Sequence, residues 1–213
     1  MLKRFCLLTV IALLLFTMPV AAMVEMNEES DSYQFGTGLH TVDAPTAYTA
    51  KEILTAADFG ADKLVSLDDL CIASDGSLFL ADGEGGTVYK LSADHQTCLT
   101  LHTFTVGETE VSLTQPTGVF VDAVGDVYVA DRLSGYIYVF DSAFQYKRRI
   151  HPPAKEEFFS EQAYEPLKVC VDNGGRLYVI SANQTQGILQ FSPEGSFIGF
   201  LGATRVQQQR RRM

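Results

Sequence analysis

Three segments of this chain repeat one another residue by residue, and this self-similarity constrains the fold more than any other feature. The segments run over residues 70–92, 119–142 and 169–192. Phe79, Tyr128 and Tyr178 occupy the same position in the repeat, at spacings of 49 and 50 residues. A period of this length is typical of architectures in which small similar units stack on one another.

Each repeat is predicted to form strands that are joined by tight turns. The middle strands read LFLA, VYVA and LYVI, and such continuous apolar runs indicate strands with both faces covered. The first turns contain Asp75-Gly76, Gly125-Asp126 and Asn173-Gly174-Gly175, residue types that tolerate the positive φ of hairpins. A fourth strand is expected in each unit, over Cys98–Phe104, Gln145–Ile150 and Phe197–Leu201.

Four antiparallel strands per unit, stacked face to face around an axis, form a propeller blade. The predicted fold is therefore all-β, a partial β-propeller of about three four-stranded antiparallel blades. A β-sandwich of hairpins is the structural alternative, although a sandwich does not require repeats in register.

The three units resemble NHL repeats, and the second unit carries the resemblance most clearly. It reads QPTGVFVD over 115–122, GDVYVAD over 125–131 and IYVFD over 137–141. The family pattern has Pro-x-Gly before the inner strand, then strands similar to Val-Tyr-Val-Ala-Asp and Ile-x-Val-Phe. The resemblance covers about residues 64–202 and implies a propeller, usually of six blades.

The chain also departs from the NHL pattern. The family's Asn-x-Arg-Ile after the second strand is absent from residues 85–88, 134–137 and 185–188, and Ser181 replaces the Asp of the third repeat. The resemblance implies several possible tasks, among them protein or RNA binding, extracellular sensing, and lyase or lactonase activity. A fold by itself does not choose among them.

Three visible repeats predict a fragment of a six-bladed ring, since six such units need roughly 300 residues and the chain has 213. Three explanations stay open. The chain is a piece of a longer protein, or two chains self-associate through open blade faces, or the N-terminal segment covers the last face. Residues 47–54, AYTAKEIL, are interpreted as an outer strand that closes the last blade.

Residues 1–22 are predicted to be a secretory signal peptide. Lys3 and Arg4 precede an apolar run from Phe5 to Met18, and Val20-Ala21-Ala22 supplies small residues for cleavage. The run is shorter than the roughly 20 residues that span a bilayer, so no membrane span is expected after processing. The expected location is secreted or extracytoplasmic, with a flexible acidic segment over 23–47, blades over 48–202 and a disordered tail over 203–213.

The charge and the cysteines exclude two classes of protein. The net charge is −10, which repels a phosphate backbone and argues against nucleic acid as a partner. Three cysteines follow the signal peptide, Cys71, Cys98 and Cys170, and an odd number does not indicate a disulfide framework. Because Cys71 and Cys170 align on inner strands two blades apart, both are predicted to be buried free thiols.

Asp82 and Asp131 are the candidate ligand-binding residues, because they end the second strand of consecutive repeats. One interpretation is a ring of carboxylates that faces a central channel. The other, which we prefer, is that each carboxylate accepts hydrogen bonds from the following turn. Asp122 and Asp172, after the inner strands, are likewise interpreted as turn caps.

No catalytic residue, cofactor or metal ligand is predicted. His40, His95, His102 and His151 share no repeat position, whereas a zinc site needs several converging ligands. We therefore expect an exported, non-catalytic binding or scaffold module that contacts a protein or carbohydrate. The alternative is a truncated metal-dependent lyase or lactonase-like propeller enzyme.

Overall fold

The computed structural model describes residues 33–35, 41–43, 51–154 and 163–202. The N-terminal unit, which ends at Ile53, contains a short antiparallel hairpin of β1 (Tyr33–Phe35) and β2 (Thr41–Asp43). This hairpin lies within the acidic segment that the sequence predicts to be flexible. The expected signal peptide and the expected disordered tail lie outside the described residues.

The second unit begins at Leu54 and contains the repeats. Within the described residues it forms three four-stranded antiparallel sheets, which we call blades 1, 2 and 3. Blade 1 contains β3 (Leu67–Ile72), β4 (Leu78–Asp82), β5 (Thr87–Leu91) and β6 (Cys98–Leu101). A separate hairpin follows, made of β7 (Thr103–Val106) and β8 (Thr109–Ser112).

Blades 2 and 3 repeat the order of blade 1. Blade 2 contains β9 (Pro116–Val121), β10 (Val127–Asp131), β11 (Tyr136–Phe140) and β12 (Tyr146–Ile150). Blade 3 contains β13 (Pro166–Val171), β14 (Leu177–Ser181), β15 (Ile188–Phe191) and β16 (Phe197–Leu201). In each blade the strands pair in chain order. The first strands β3, β9 and β13 lie next to one another, as innermost strands around an axis do.

The strand register confirms the alignment of the repeats. Phe79 pairs with Cys71, Tyr128 with Phe120, and Tyr178 with Cys170. All three aromatic residues therefore hold the equivalent place on the second strand of a blade. The chain is a partial propeller, as its repeat predicts.

Each blade has two faces, because side chains alternate along a strand. The forward face packs against the next blade and carries Phe79, Ala81 and Val88 in blade 1 and Tyr128, Ala130 and Ile137 in blade 2. The backward face packs against the preceding blade and carries Val127, Val129 and Phe140 in blade 2 and Leu177, Val179 and Phe191 in blade 3. Two buried apolar clusters join these faces, one between blades 1 and 2 and one between blades 2 and 3.

The backward face of blade 1 is covered by the chain itself. A short 3-10 helix, η1 (Ala56–Phe59), buries Phe59 against Leu80, Tyr89 and Leu91. The rings of Phe59 and Tyr89 meet edge to face with centroids 5.7 Å apart. Asp58 fixes the start of η1, since its carboxylate accepts a bond of 2.6 Å from the Thr55 amide.

This cover corrects the interpretation of residues 47–54 as an outer strand. Residues 51–54 form no strand, and Leu54 packs against the backward face of blade 1, while 47–50 lie outside the described residues. The face that the N-terminal side of the chain covers therefore belongs to the first blade, not to the last. The helix η1, with Phe59 and the preceding Leu54, covers the backward face of blade 1 without adding a strand to its sheet.

The fourth strand of blade 1 is shorter than predicted. It ends at Leu101, and Phe104 belongs to the following hairpin instead. The ring of Phe104 packs among Tyr138, Phe140 and Tyr146 of blade 2, with centroids 4.9 to 5.5 Å away. The hairpin therefore covers the outer part of the contact between blades 1 and 2.

The three innermost strands are joined near the axis by one lysine. Lys168 of β13 donates to the carbonyl of Thr117 in β9 at 2.8 Å, and its Nζ lies 3.3 Å from Asp69 Oδ1 in β3. Asp69 in turn accepts a bond of 3.0 Å from the amide of Val119. One position of the repeat is occupied by Asp69 in blade 1, Gly118 in blade 2 and Lys168 in blade 3. The blade that lies between the two charged residues therefore has no side chain at this position.

Gly118 is required by close backbone packing. A Cβ at this position would lie 2.6 Å from the carbonyl oxygen of Leu167 and 3.0 Å from the Cα of Lys168. Real Cβ atoms essentially never lie 2.6 Å from another heavy atom, and both atoms concerned belong to the backbone of β13. Blades 2 and 3 therefore approach as closely as they do because residue 118 has no side chain.

We expect Gly118→Ala to lower the free energy of unfolding by about 1–3 kcal/mol, because β13 must move away from β9. Urea denaturation measures this change. Thr100→Ala, at an exposed position of β6, is the control and leaves the midpoint almost unchanged. In the double variant Gly118→Ala, Ala130→Gly the loss of stability should persist, because the atoms closest to the new methyl group belong to the backbone of β13. A denaturation midpoint restored by Ala130→Gly would contradict this explanation.

Candidate functional site

Asp82 and Asp131, the predicted ligand residues, are both buried at the end of the second strand of their blades. The Asp82 carboxylate accepts bonds from the amides of Val65 at 2.9 Å and Ser66 at 2.8 Å. A third bond of 3.0 Å comes from the amide of Gly85. Its oxygens are therefore directed at the backbone of this chain.

Asp131 makes the equivalent contacts in blade 2. Its carboxylate accepts bonds from the amides of Thr114 at 2.9 Å and Gln115 at 2.7 Å, and from the Thr114 hydroxyl at 2.7 Å. In blade 3 the smaller Ser181 accepts a bond of 3.1 Å from the amide of Glu165. We call Asp82, Asp131 and Ser181 the anchor residues.

The anchor residues bind the segment that leads into the first strand of their own blade. This differs from our preferred interpretation, in which the following turn supplies the amides; only the Gly85 contact of Asp82 fits it. The donors lie 16 or 17 residues before their acceptors, a separation that a sequence without strand register does not reveal. A ligand at these carboxylates would compete with backbone amides, and their role in binding stays a prediction.

Asp122 and Asp172 are turn caps, as predicted. Asp122 Oδ1 accepts the amides of Val124 at 3.0 Å and Asp126 at 2.9 Å. Asp172 Oδ1 accepts the amides of Gly174 at 2.8 Å and Arg176 at 3.0 Å. The hydrogen bond from the Arg176 amide is the main cause that holds the pKa of Asp172 below its ordinary value.

A tyrosine hydroxyl completes each of these caps. Tyr128 donates to Asp122 Oδ2 at 3.3 Å and Tyr178 donates to Asp172 Oδ2 at 3.0 Å. Burial, and then the Asp122 charge, raise the pKa of Tyr128, so its hydroxyl keeps the proton that it donates. In blade 1 both partners are absent, because Ala73 and Phe79 hold the equivalent positions.

The turns between first and second strands of the blades, over 73–76, 122–126 and 172–175, lie at the same end of the sheets; we call this end the turn face. Two open grooves run between blades here. One of about 460 Å³ between blades 2 and 3 is lined by Phe120, Val124, Val171 and Asn173, together with the two capping aspartates. The other, of about 230 Å³, lies between blades 1 and 2 beside Phe79 and Lys90.

Val124 separates the two grooves and lines both. Its side chain is 83 % exposed, the most exposed large hydrophobic side chain among the described residues. Its own amide and the amide of Asp126 donate to the Asp122 carboxylate, which fixes the turn. An apolar side chain is thus held in water on a turn that the cap fixes, between the two grooves.

Cys71 and Cys170 are free thiols, as predicted, and Cys98 is free as well. The prediction that Cys71 and Cys170 are buried is wrong, because Cys71 is half-buried and Cys170 is exposed. Cys170 lies on the forward side of β13, which no other blade of the described residues covers, whereas blade 2 covers the equivalent side of blade 1. Burial is the main cause that raises the pKa of the Cys71 thiol.

Histidines do not converge in the part of the chain that the structure describes. His102 lies 2.7 Å, through Nδ1, from the carbonyl oxygen of Gly86, and His151 packs edge to face on Tyr136. Among the described residues no three His, Cys, Asp or Glu side chains come together as metal ligands would. No helix in those residues is long and apolar enough to cross a bilayer.

Comparisons with known proteins give partial similarities. The chain is 31 % identical over 104 residues to Protein brain tumor of Drosophila melanogaster, a protein with NHL repeats, covering 49 % of this chain and 10 % of that protein. The chain therefore spans about a tenth of the length of this curated relative. No family model matches.

Solved structures of propeller proteins resemble the chain over part of their length. Hydrazine synthase of Kuenenia stuttgartiensis is 17 % identical, with a TM-score of 0.49, over 74 % of this chain and 40 % of that one. Virginiamycin B lyase from Staphylococcus aureus is 15 % identical, with a TM-score of 0.47, over 65 % of this chain and 41 % of that one.

We expect Asp131→Ala to reduce the free energy of unfolding by about 3 kcal/mol, because it leaves the amides of Thr114 and Gln115 without their acceptor. Asp131→Ser, which copies the anchor residue of blade 3, should lose roughly half as much. Chemical denaturation of both variants measures the difference. Equal losses for Ala and Ser would contradict the anchoring role.

Proposed function

We propose that this chain is an exported, non-catalytic propeller module that binds a protein ligand through its turn face. The observation that carries the proposal is Val124, an exposed apolar side chain held between two grooves. Interfaces place apolar anchors at their centre and polar groups at their rim. The turn face has this arrangement.

The shape of the turn face favours an extended ligand over a small molecule. Both grooves are open to solvent, and Val124 rises between them, whereas small-molecule sites are concave and enclose most of the ligand. A peptide segment or loop could lie across the ridge and place side chains in both grooves. Phe120 and Val171 give the larger groove apolar walls.

Charge adds a second property to the expected ligand. The turns at this end carry Asp75, Asp94, Asp122, Asp126, Asp141, Asp172 and Glu194. Lys147 pairs with Asp126 and Arg176 with Asp172, which neutralises part of this charge. A ligand with basic groups around an apolar centre fits the remaining acidic excess.

Export is the other component of the proposal. It rests on residues 1–22, where a basic start, an apolar run and small residues follow one another. Free thiols and the absence of a disulfide among the described cysteines are compatible with this location, since the propeller core supplies the stability that small secreted proteins obtain from disulfides.

We expect Val124→Asp to weaken ligand binding about tenfold or more, because it places a charge at the apolar centre of the surface. A random peptide library displayed on phage is selected on the purified chain, and the enriched peptides are titrated against both chains by calorimetry. Enriched peptides should contain apolar residues flanked by Lys or Arg, and their affinity should fall with added salt.

Leu133→Asp is the matched control. Leu133 is 67 % exposed on the turn at the opposite end of β10, so this variant should bind like the parent chain. A glycan array serves as the parallel arm. Binding of glycans without any peptide, or equal loss in both variants, would contradict a protein ligand at the turn face.

Export predicts a defined N-terminus. When the full chain is produced in its own host, Edman sequencing of the protein outside the cytoplasm should begin at Met23, after removal of residues 1–22. Replacing Leu13 and Leu14 with Arg should interrupt the apolar run and leave the precursor inside the cell. Cytoplasmic retention of the unaltered chain would overturn this component.

A further inference from the structure

The two grooves of the turn face are lined by different charged groups. Asp122 and Asp172 line the larger groove, whereas Ala73 holds the position of Asp122 in blade 1 and lines the smaller groove, between blades 1 and 2. The Ala73 amide donates to the Ser77 carbonyl at 2.9 Å, and the amide of the capping aspartate in blade 2 makes the equivalent bond of 3.0 Å. The smaller groove therefore lacks the capping carboxylate that blade 2 places in the larger one.

A lysine side chain also lines the smaller groove. Lys90, on the third strand of blade 1, pairs with Phe79 of the second strand. Val139 in blade 2 and Gln190 in blade 3 hold the same position, because each pairs with the tyrosine equivalent to Phe79. Among the three described blades, only blade 1 has a charged residue at this position. The smaller groove thus differs from the larger one by the loss of a carboxylate and the gain of a cation.

Two contacts hold the Lys90 ammonium group at the groove. Its Nζ donates to the Ser142 carbonyl at 2.8 Å and lies 5.5 Å from the centre of the Phe79 ring. Among the described residues no carboxylate oxygen lies within 4.0 Å of this ammonium group. An ammonium group has three N–H bonds, and the Ser142 carbonyl uses one of them. Two donors are therefore left for an acceptor that enters the groove.

Asp75 is the other charged residue of the smaller groove, and its carboxylate binds its own turn. Oδ1 accepts a bond of 2.9 Å from the Ser77 amide. This hydrogen bond is the main cause that holds the pKa of Asp75 below its ordinary value. The side chain is exposed, so water and salt screen its charge. A ligand that brings an anion to the smaller groove therefore meets Lys90 as its partner.

We propose that the smaller groove is a carboxylate subsite of the turn face, so that a peptide ligand crosses Val124 in one orientation. An acidic side chain of the ligand accepts N–H bonds from Lys90, an apolar residue contacts Val124, and a basic residue lies near the two capping aspartates. Charge-assisted hydrogen bonds are stronger than neutral ones, and the reversed orientation would place like charges together. The inference rests on the proposed function and adds one acidic residue to the basic and apolar groups expected of the ligand.

A double-mutant cycle tests the subsite. The probes are a peptide selected on the unaltered chain from the displayed library and a matched peptide whose acidic side chain is replaced by its amide. Lys90→Gln copies the residue of blade 3 at this position. It should weaken the acidic peptide about tenfold and leave the amide peptide almost unchanged, because only the acidic peptide has an ion pair to lose. Calorimetry measures all four affinities, and equal losses for both peptides would overturn the inference.

Lys63→Glu is the control for overall charge, since Lys63 is exposed ahead of blade 1 and lines neither groove. Lys90→Glu changes the net charge by the same amount, but only this variant should alter the selection. Peptides selected on it should carry Lys or Arg where those selected on the unaltered chain carry Asp or Glu. Peptides without an acidic residue that still lose affinity in Val124→Asp would overturn the subsite and leave the proposed function in place. Failure to enrich any peptide would overturn both.

Discussion

The structure depends on one constraint, which is that a sheet with apolar residues on both faces must be covered on both. The second strand of blade 2 is buried throughout, and that of blade 1 is buried from Phe79 to Asp82, because a neighbouring sheet, or η1, lies on each side. A strand of a solvent-facing sheet would have needed polar residues at every second position. When similar sheets stack, each inner blade has both faces covered by its neighbours, whereas the first and last blades of the stack each have one face without a neighbouring blade. The first end is covered by Phe59 and its neighbours, and at the last end Ile180 and Ile188 stay exposed.

The approach of the blades near the axis sets how tightly this stack can close. The backbones of β9 and β13 meet at Gly118, where even a methyl group would overlap the Leu167 carbonyl. Lys168 reaches the Thr117 carbonyl and Asp69 across the same place. The closest backbone contact between blades thus lies beside the lysine that links all three first strands. Farther out the blades diverge, and larger groups such as Phe104 and Phe140 fill the space between them.

Much of the fold could be predicted from the sequence, because a repeat in register reports which positions share an environment. The equivalence of Phe79, Tyr128 and Tyr178 follows from spacing alone, and the register of the strands confirms it. The caps at Asp122 and Asp172 are local, with donors two and four residues away, so they were predictable. The donors to Asp131 lie 16 and 17 residues earlier, and only the strand pairing brings them together. Likewise, the exposure of Val124 and Cys170 depends on what lies beside them in space, which no local pattern encodes.

The anchor residues have a consequence for how such a chain can change over generations. Each of them ties the beginning of a blade to the second strand of that same blade, through Val65 and Ser66, Thr114 and Gln115, or Glu165. Residues inserted between one blade and the next therefore leave the inherited strand pairing on both sides intact, and the hairpin of β7 and β8 stands at such a boundary. A blade whose anchor residue binds the segment before its own first strand can be duplicated, or separated from the next blade by inserted residues, while its strand pairing is preserved.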